Sequence, residues 1–223
     1  METKEPRLEH LFPCWGELTP RQQQQVADAA RVKAFAKGEL LHGGGADCTG
    51  LLLVQEGRLR VYILSPQGKE ITLYRLFDGE VCLFSAACVL RNIHFDVYIT
   101  AERDSRVTVV PAEVYNQAAR QSLPLTDYTS QLMAARFSDV MWVVEQVLFT
   151  SFDSRLASFL LEQSLLEGSD TLPITHEEIA RHLGSAREVV TRMLRYFSGE
   201  GLVTLSRGTV TLTDTQGLSD RVQ

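Results

Sequence analysis

Thr175-His176-Glu177-Glu178-Ile179-Ala180-Arg181-His182-Leu183-Gly184, followed by Ser185-Ala186-Arg187-Glu188-Val189-Val190-Thr191-Arg192-Met193-Leu194, is the stretch from which the fold is read. Two capping-box patterns occur in it, Thr175 with Glu178 and Ser185 with Glu188, and each marks a helix start. Gly184 falls between them, where a tight turn needs positive φ. Ala180 is small where two crossing helices approach closely. Ile179, Leu183, Val190 and Met193 supply a shared core. Together these features predict a helix-turn-helix.

The second helix sorts by face. Val189, Val190, Met193, Leu194 and Phe197 are expected to point inward. Arg187, Glu188, Thr191, Arg192 and Arg195 fall on the outer face. After Gly199-Glu200-Gly201, Val203 and Leu205 alternate with polar residues, Arg207-Gly208 makes a turn, and Val210 and Leu212 alternate again. That pattern predicts a β-hairpin wing. Residues 181–207 hold five arginines (181, 187, 192, 195 and 207) against Glu188 and Glu200. No lysine follows Lys69, so every cation here is an arginine, which suits bidentate contacts to guanine or phosphate. An outward Arg/Glu face, an Arg-tipped wing and a glycine turn predict double-stranded DNA as the partner.

Outside this stretch the chain reads as a second, different texture. It has 223 residues, 44% of them hydrophobic, enough for one large domain or two modest ones. The net charge of −6 excludes coating of nucleic acid by bulk charge and leaves room for a local basic patch. Residues 34–112 hold short β-type runs broken by glycine: Leu51–Val54, Leu59–Leu64, Ile71–Tyr74, Phe95–Thr100 and Val107–Val110. Their spacing predicts an antiparallel sandwich or barrel. Thr19-Pro20 opens a helix read over residues 19–33. From about Leu125 the pattern is helical. Met133, Phe137, Val140, Val144 and Val147 form an apolar stripe, read as the seam of a homodimer as well as packing within the chain. Ser151-Phe152-Asp153 breaks this helix, with Asp153 expected to cap the next and Gly168 to end it. No apolar run approaches the ~20 residues of a membrane span, and the polar N-terminus shows no signal peptide. Four cysteines are too few for a disulfide scaffold, so a cytoplasmic protein with reduced thiols is expected.

The whole chain resembles the Crp/Fnr superfamily of bacterial transcription regulators. Arg187-Glu188-Val189-Val190-Thr191-Arg192 is similar to that family's recognition-helix pattern. Gly57-Arg58-Leu59-Arg60-Val61-Tyr62 and Asp78-Gly79-Glu80 are similar to its barrel signatures. The resemblance implies an α+β architecture. Residues 1–122 would be a sensor, an antiparallel jelly-roll β-barrel of cyclic-nucleotide-binding type with an N-terminal helix. Residues 123–150 would be a dimerisation helix, and 151–223 a winged helix-turn-helix. It further implies a homodimer on an inverted repeat, with RNA polymerase as a possible further partner. Arg187 would read guanine, Glu188 would accept from cytosine, and Arg192 would reach a base or phosphate. Ser185, Thr191, Arg195 and Arg207 complete the expected DNA-binding set.

The signal sensed by the barrel is less legible. Aligning the strand that ends in Ala101 puts Phe95 and Asp96 where cyclic-nucleotide-binding members carry Arg-Ser. An acidic residue repels the phosphate that the arginine would bind, so cAMP is not the expected effector. Glu80 remains an effector candidate beside the cysteines. All four cysteines, Cys14, Cys48, Cys82 and Cys88, lie in the sensor half, and Cys14, Cys82 and Cys88 are the redox candidates. The chain departs from the clustered N-terminal cysteines of Fnr-type iron–sulfur regulators. The segment from Gly79 to Cys88 is loosely similar to the haem-ligand loop of the CO-sensing branch, with Phe84 where that branch has a histidine, so the cofactor stays open between none, an iron–sulfur cluster and haem. His10, His42 and His94 show no ligand spacing to Cys82. Plain buried thiols are the competing reading. Two other functions compete. A constitutive DNA-binding protein would use the barrel only as scaffold. A cupin-like metalloenzyme would need a His-x-His with a following Glu, which is missing, so the chain is read as a non-enzyme.

Overall fold

The structure is a computed structural model and describes residues 8–44, 49–85 and 96–222. In chain order its elements begin with α1 (Leu8–Leu11), a 3-10 turn (Trp15–Glu17), α2 (Pro20–Ala29), β1 (Arg31–Phe35), β2 (Leu40–Gly43), β3 (Leu51–Glu56), β4 (Leu59–Leu64) and β5 (Glu70–Leu76). Next come β6 (Val81–Cys82), β7 (Tyr98–Ala101), β8 (Ser105–Val110), α3 (Ala112–Ala119) and α4 (Leu123–Phe149). The chain continues with α5 (Phe152–Glu167), β9 (Thr171–Leu172), α6 (His176–Leu183), α7 (Arg187–Gly199), β10 (Val203–Ser206), β11 (Thr209–Leu212) and α8 (Thr215–Ser219). Two compact units result. One holds the described residues up to Leu64 with Leu73–Val140, and the other holds Ser65–Thr72 with Met141 onward.

The first unit contains two four-stranded sheets, ordered β1-β8-β3-β6 and β2-β7-β4-β5. The pairings β1–β8, β3–β8, β3–β6, β2–β7 and β4–β7 are antiparallel. Strand β3 explains the apolar run Leu51-Leu52-Leu53-Val54, because both of its faces are buried. Leu52 and Val54 share a core with Leu59, Val61, Leu76, Ile99 and Val107. Leu51 and Leu53 join Phe12, Tyr115 and Leu125 in a second cluster that includes α1, α3 and α4. Gly57 is required where it stands: its φ is +115°, and a Cβ there would meet the Ser105 backbone and side chain. Beside it, Arg58 and Arg75 each pair with the largely buried Glu102 at 2.9 Å, so the Arg58 of the barrel signature is structural.

Helix α2 starts as read. Thr19 caps it in a reciprocal box with Gln22, and Pro20 occupies the first turn. It ends at Ala29, not residue 33, because Arg31–Phe35 pair with Phe35↔Ser105 through Arg31↔Val109 of β8. A strand partner 70 or more residues away leaves no local trace in the sequence. Helix α4 runs for 27 residues, and its stripe splits. Met133 and Val140 pack against the barrel core. Phe137 and Val144 are exposed, and they align with the exposed Met141 and Leu148 at spacings of three and four. Val147 is also exposed. Within the stripe read over Met133–Val147, Met133 and Val140 are partly buried against the barrel, and Phe137, Val144 and Val147 are left exposed.

In the second unit one cluster holds Leu156, Leu160, Ile179, Val190, Leu194, Phe197, Val203, Val210 and Leu218. Ser151, not Asp153, is the N-cap residue of α5. Asp153 lies in the first turn, where the Ser151 hydroxyl and nearby amides hold its carboxyl below the usual range. The helix ends on Gly168 in the left-handed region, as expected. Among the described residues, no helix is long and apolar enough to cross a membrane.

Candidate nucleic-acid interface

The helix-turn-helix is α6 and α7. Thr175 caps α6 and Glu178 reaches back to the Thr175 amide at 2.7 Å, completing the first capping box. Gly184 closes α6 with φ +65°, and the Gly184 and Ser185 amides both donate to the Ala180 carbonyl. The Arg155 guanidinium, from α5, donates to the Leu183 carbonyl and secures the same end.

The second capping box does not form. The N-cap of α7 is Ala186, without a side-chain cap. Ser185 is engaged in closing α6, so α7 starts one residue later and Glu188 falls one position short of the reach-back geometry. Glu188 is thereby left exposed in the first turn, where its charge suits the helix dipole and is not committed to a cap.

Helix α7 divides as its spacing demands. Val190, Leu194 and Phe197 are fully buried and Met193 partly so. Val189, read as inward, is only half-buried. On the opposite side Arg187, Glu188, Thr191, Arg192 and Arg195 line one open cleft of about 470 Å³. Ser185 and Arg207 are not part of that lining. Arg207 is exposed at the tip of the wing, where β10 and β11 pair from Val203↔Leu212 to Ser206↔Thr209 and Gly208 supplies φ +73°. Strand β9 adds a third strand through Leu172↔Val210, which the sequence reading did not foresee.

His176 was not singled out as an interface residue. It opens α6 and places Nδ1 2.9 Å from the Thr191 hydroxyl of α7. Partial burial, with Arg187 and Arg195 nearby, holds its imidazole below the usual histidine value. The usable signal was its position directly after the cap residue, at the mouth of the helix pair.

In the barrel, the Glu80 carboxylate accepts from the Phe77 amide at 2.9 Å and lies 3.5 Å from the Arg136 guanidinium of α4. Arg136 is 8% exposed, pairs with Asp139 at 2.8 Å and stacks over the Tyr74 ring at 4.6 Å. The Tyr74 hydroxyl is 3.8 Å from the Cys82 sulfur. Sequence reading missed Arg136, although a lone cation between Met133 and Val140 on the barrel-facing side marks it. Cys14 and Cys82 are both buried, and burial pushes both thiols up, away from the reactive thiolate. They belong to different core clusters. Cys48, Cys88, His94 and Phe95 lie outside the described residues. His42 is buried with Nδ1 2.9 Å from the Thr49 hydroxyl. Among the described residues, no group of three or more His, Cys, Asp or Glu side chains is placed to hold a metal ion.

An arginine-bearing helix on a winged helix-turn-helix, in a chain that also carries an antiparallel barrel, defines a DNA-binding regulator. The family model of the Crp-like helix-turn-helix domain matches residues 154–221, and that of the cyclic nucleotide-binding domain matches residues 32–122. The chain is 52% identical to a protein of Eubacterium rectale whose crystal structure is described as a transcriptional regulator of the Crp/Fnr family, covering 96% of this chain and 99% of that one with a TM-score of 0.94. It is 28% identical over 200 residues to the cyclic AMP receptor protein of Thermus thermophilus, covering 89% of this chain and 91% of the relative. It is also 28% identical to the transcriptional regulator SdrP of the same organism, covering 75% and 81%. The chain belongs to the Crp/Fnr family of DNA-binding transcription regulators and is not an enzyme.

Proposed function

We propose that this regulator works in the cytoplasm as a homodimer on an inverted-repeat operator, reading bases with α7 and gated by a signal in the barrel other than cAMP. The observation that carries the reading is the single open face bearing Arg187, Glu188, Thr191, Arg192 and Arg195. Arg187, at the first position of α7, takes the role of guanine reader, since a helix in the major groove presents its N-terminal residues to base edges. Glu188 accepts from cytosine, Arg192 and Arg195 reach base or phosphate, and Arg207 on the wing meets phosphate. The Ser185 amide closes α6, and its hydroxyl stays in the proposed DNA-binding set. The dimer is supported by the exposed row Phe137, Met141, Val144 and Leu148 on α4.

Two features support gating without cAMP. Asp96 is acidic where the phosphate-binding pair of the family falls. Glu80, Tyr74 and Arg136 join the barrel to α4, and in this reading that contact carries the signal to the helix. Burial of Cys82 and Cys14 disfavours them as the redox sensor.

The test contrasts two variants on a selected operator and on random duplex. Arg187→Ala is expected to cost about 1–3 kcal/mol on the operator and little on random DNA, relaxing preference at one base position. Arg207→Ala is expected to weaken both duplexes alike and to reduce the salt slope by about one. Equal losses on the two duplexes for Arg187→Ala would remove it as a base reader.

A further inference from the structure

Helix α6 is the first helix of the pair, and such a helix crosses the DNA backbone while its partner occupies the groove. Its first residue, His176, is bonded through Nδ1 to Thr191 in the middle of the arginine face. The second ring nitrogen is therefore free to serve a different partner. The groups that bear on the ring from α7 are Arg187 and Arg195, both cationic. On its own helix, Glu178 is committed to the Thr175 cap and Glu177 is exposed. The amino-terminal end of α6 adds partial positive charge. Burial and these cations disfavour the imidazolium in the unbound protein, and the ring sits on the helix that crosses the DNA backbone in such pairs.

We propose that His176 is a proton-linked contact to a DNA phosphate, so that binding takes up one proton per subunit and tightens as pH falls. This inference rests on the DNA-reading assignment of α7. A phosphate beside the ring, with Arg187 and Arg195 drawn to the DNA, reverses the electrostatics that disfavour the imidazolium. The bound-state pKa then lies above the free-state one. Affinity gained this way is fully present below the free value and is lost as pH rises through the bound value. Between the two, each subunit gains up to about tenfold in affinity per pH unit.

The probe is a fluorescent duplex recovered by this protein from a random-sequence pool, titrated by anisotropy at fixed ionic strength from about pH 8 to about pH 6. The wild type is expected to tighten steeply over that range. His176→Gln keeps a polar partner for Thr191 and is expected to give a flat profile. His176→Lys carries a permanent cation and is expected to be flat and as tight as the wild type at the acidic end. A flat wild-type profile, or a His176→Gln profile as steep as the wild type, overturns the proposal. Failure to recover any duplex from the pool would instead overturn the DNA-reading assignment and this inference with it.

Discussion

Phe137→Glu combined with Val144→Glu is expected to turn the proposed dimer into a monomer and to lower affinity for a two-half-site operator by about 10²–10⁴-fold. Phe137 is 66% exposed and Val144 39% exposed on one side of α4, one heptad apart. Met141 and Leu148 extend the same row, so in a lone chain these side chains remain in water. A partner helix would cover them. Two glutamates per chain place four carboxylates in the seam, where each must lose water without a counter-charge. Because neither residue belongs to a buried core, the monomer should keep its fold. Each half-site contact survives, but the second becomes a separate binding event, and the effective-concentration advantage is lost. Sedimentation equilibrium with and without the substitutions reads the first effect, and operator titration reads the second. A double variant that stays dimeric would move the interface elsewhere.

Phe197→Ala is expected to destabilise the second unit by about 3–5 kcal/mol. Phe197 is among the largest fully buried side chains and closes the cluster of α5, α6, α7 and the wing. Its removal leaves a cavity bounded by elements that α7 must keep in register. For a domain of this size the loss corresponds to a melting shift of roughly 4–8 °C per kcal/mol. The exposed Arg195, on the opposite side of α7, serves as the internal comparison. Arg195→Ala should leave the melting temperature nearly unchanged while weakening DNA binding. Calorimetry on the two variants checks the pair. A Phe197→Ala protein that melts like the wild type would show that the cluster does not hold the helix pair together.

The helix pair was legible because its determinants are local. Thr175, Glu178 and Gly184 act on their own neighbours, and the burial of Val190, Leu194 and Phe197 follows from helical spacing alone. Where two local motifs overlapped, reading failed. Ser185 fits a capping pattern, yet its amide is already needed to close α6, and Ala186 takes the cap position instead. Longer-range pairing was also hidden. Residues 31–33 look helical until β8 claims them, and β6 and β9 are two-residue strands with no pattern to detect. How the α4 stripe divides was hidden for a related reason. Heptad spacing finds apolar residues, but only the barrel decides that Met133 and Val140 turn inward while Met141 and Leu148 replace them on the exposed row. The contact between the barrel and α4 is the least legible part. Arg136 is far in sequence from Tyr74 and Glu80 and unremarkable singly, and only folding brings this cation onto the ring.

Selection of duplexes from a random-sequence pool by the full-length protein tests the central claim most directly. The enriched sequences are expected to contain an inverted repeat with half-sites about one helical turn apart, carrying a G·C pair in each half that loses its enrichment when Arg187→Ala is used for selection. Enrichment of a single unrepeated site, or an unchanged motif with the Arg187→Ala protein, would contradict the account of a dimer reading bases through α7.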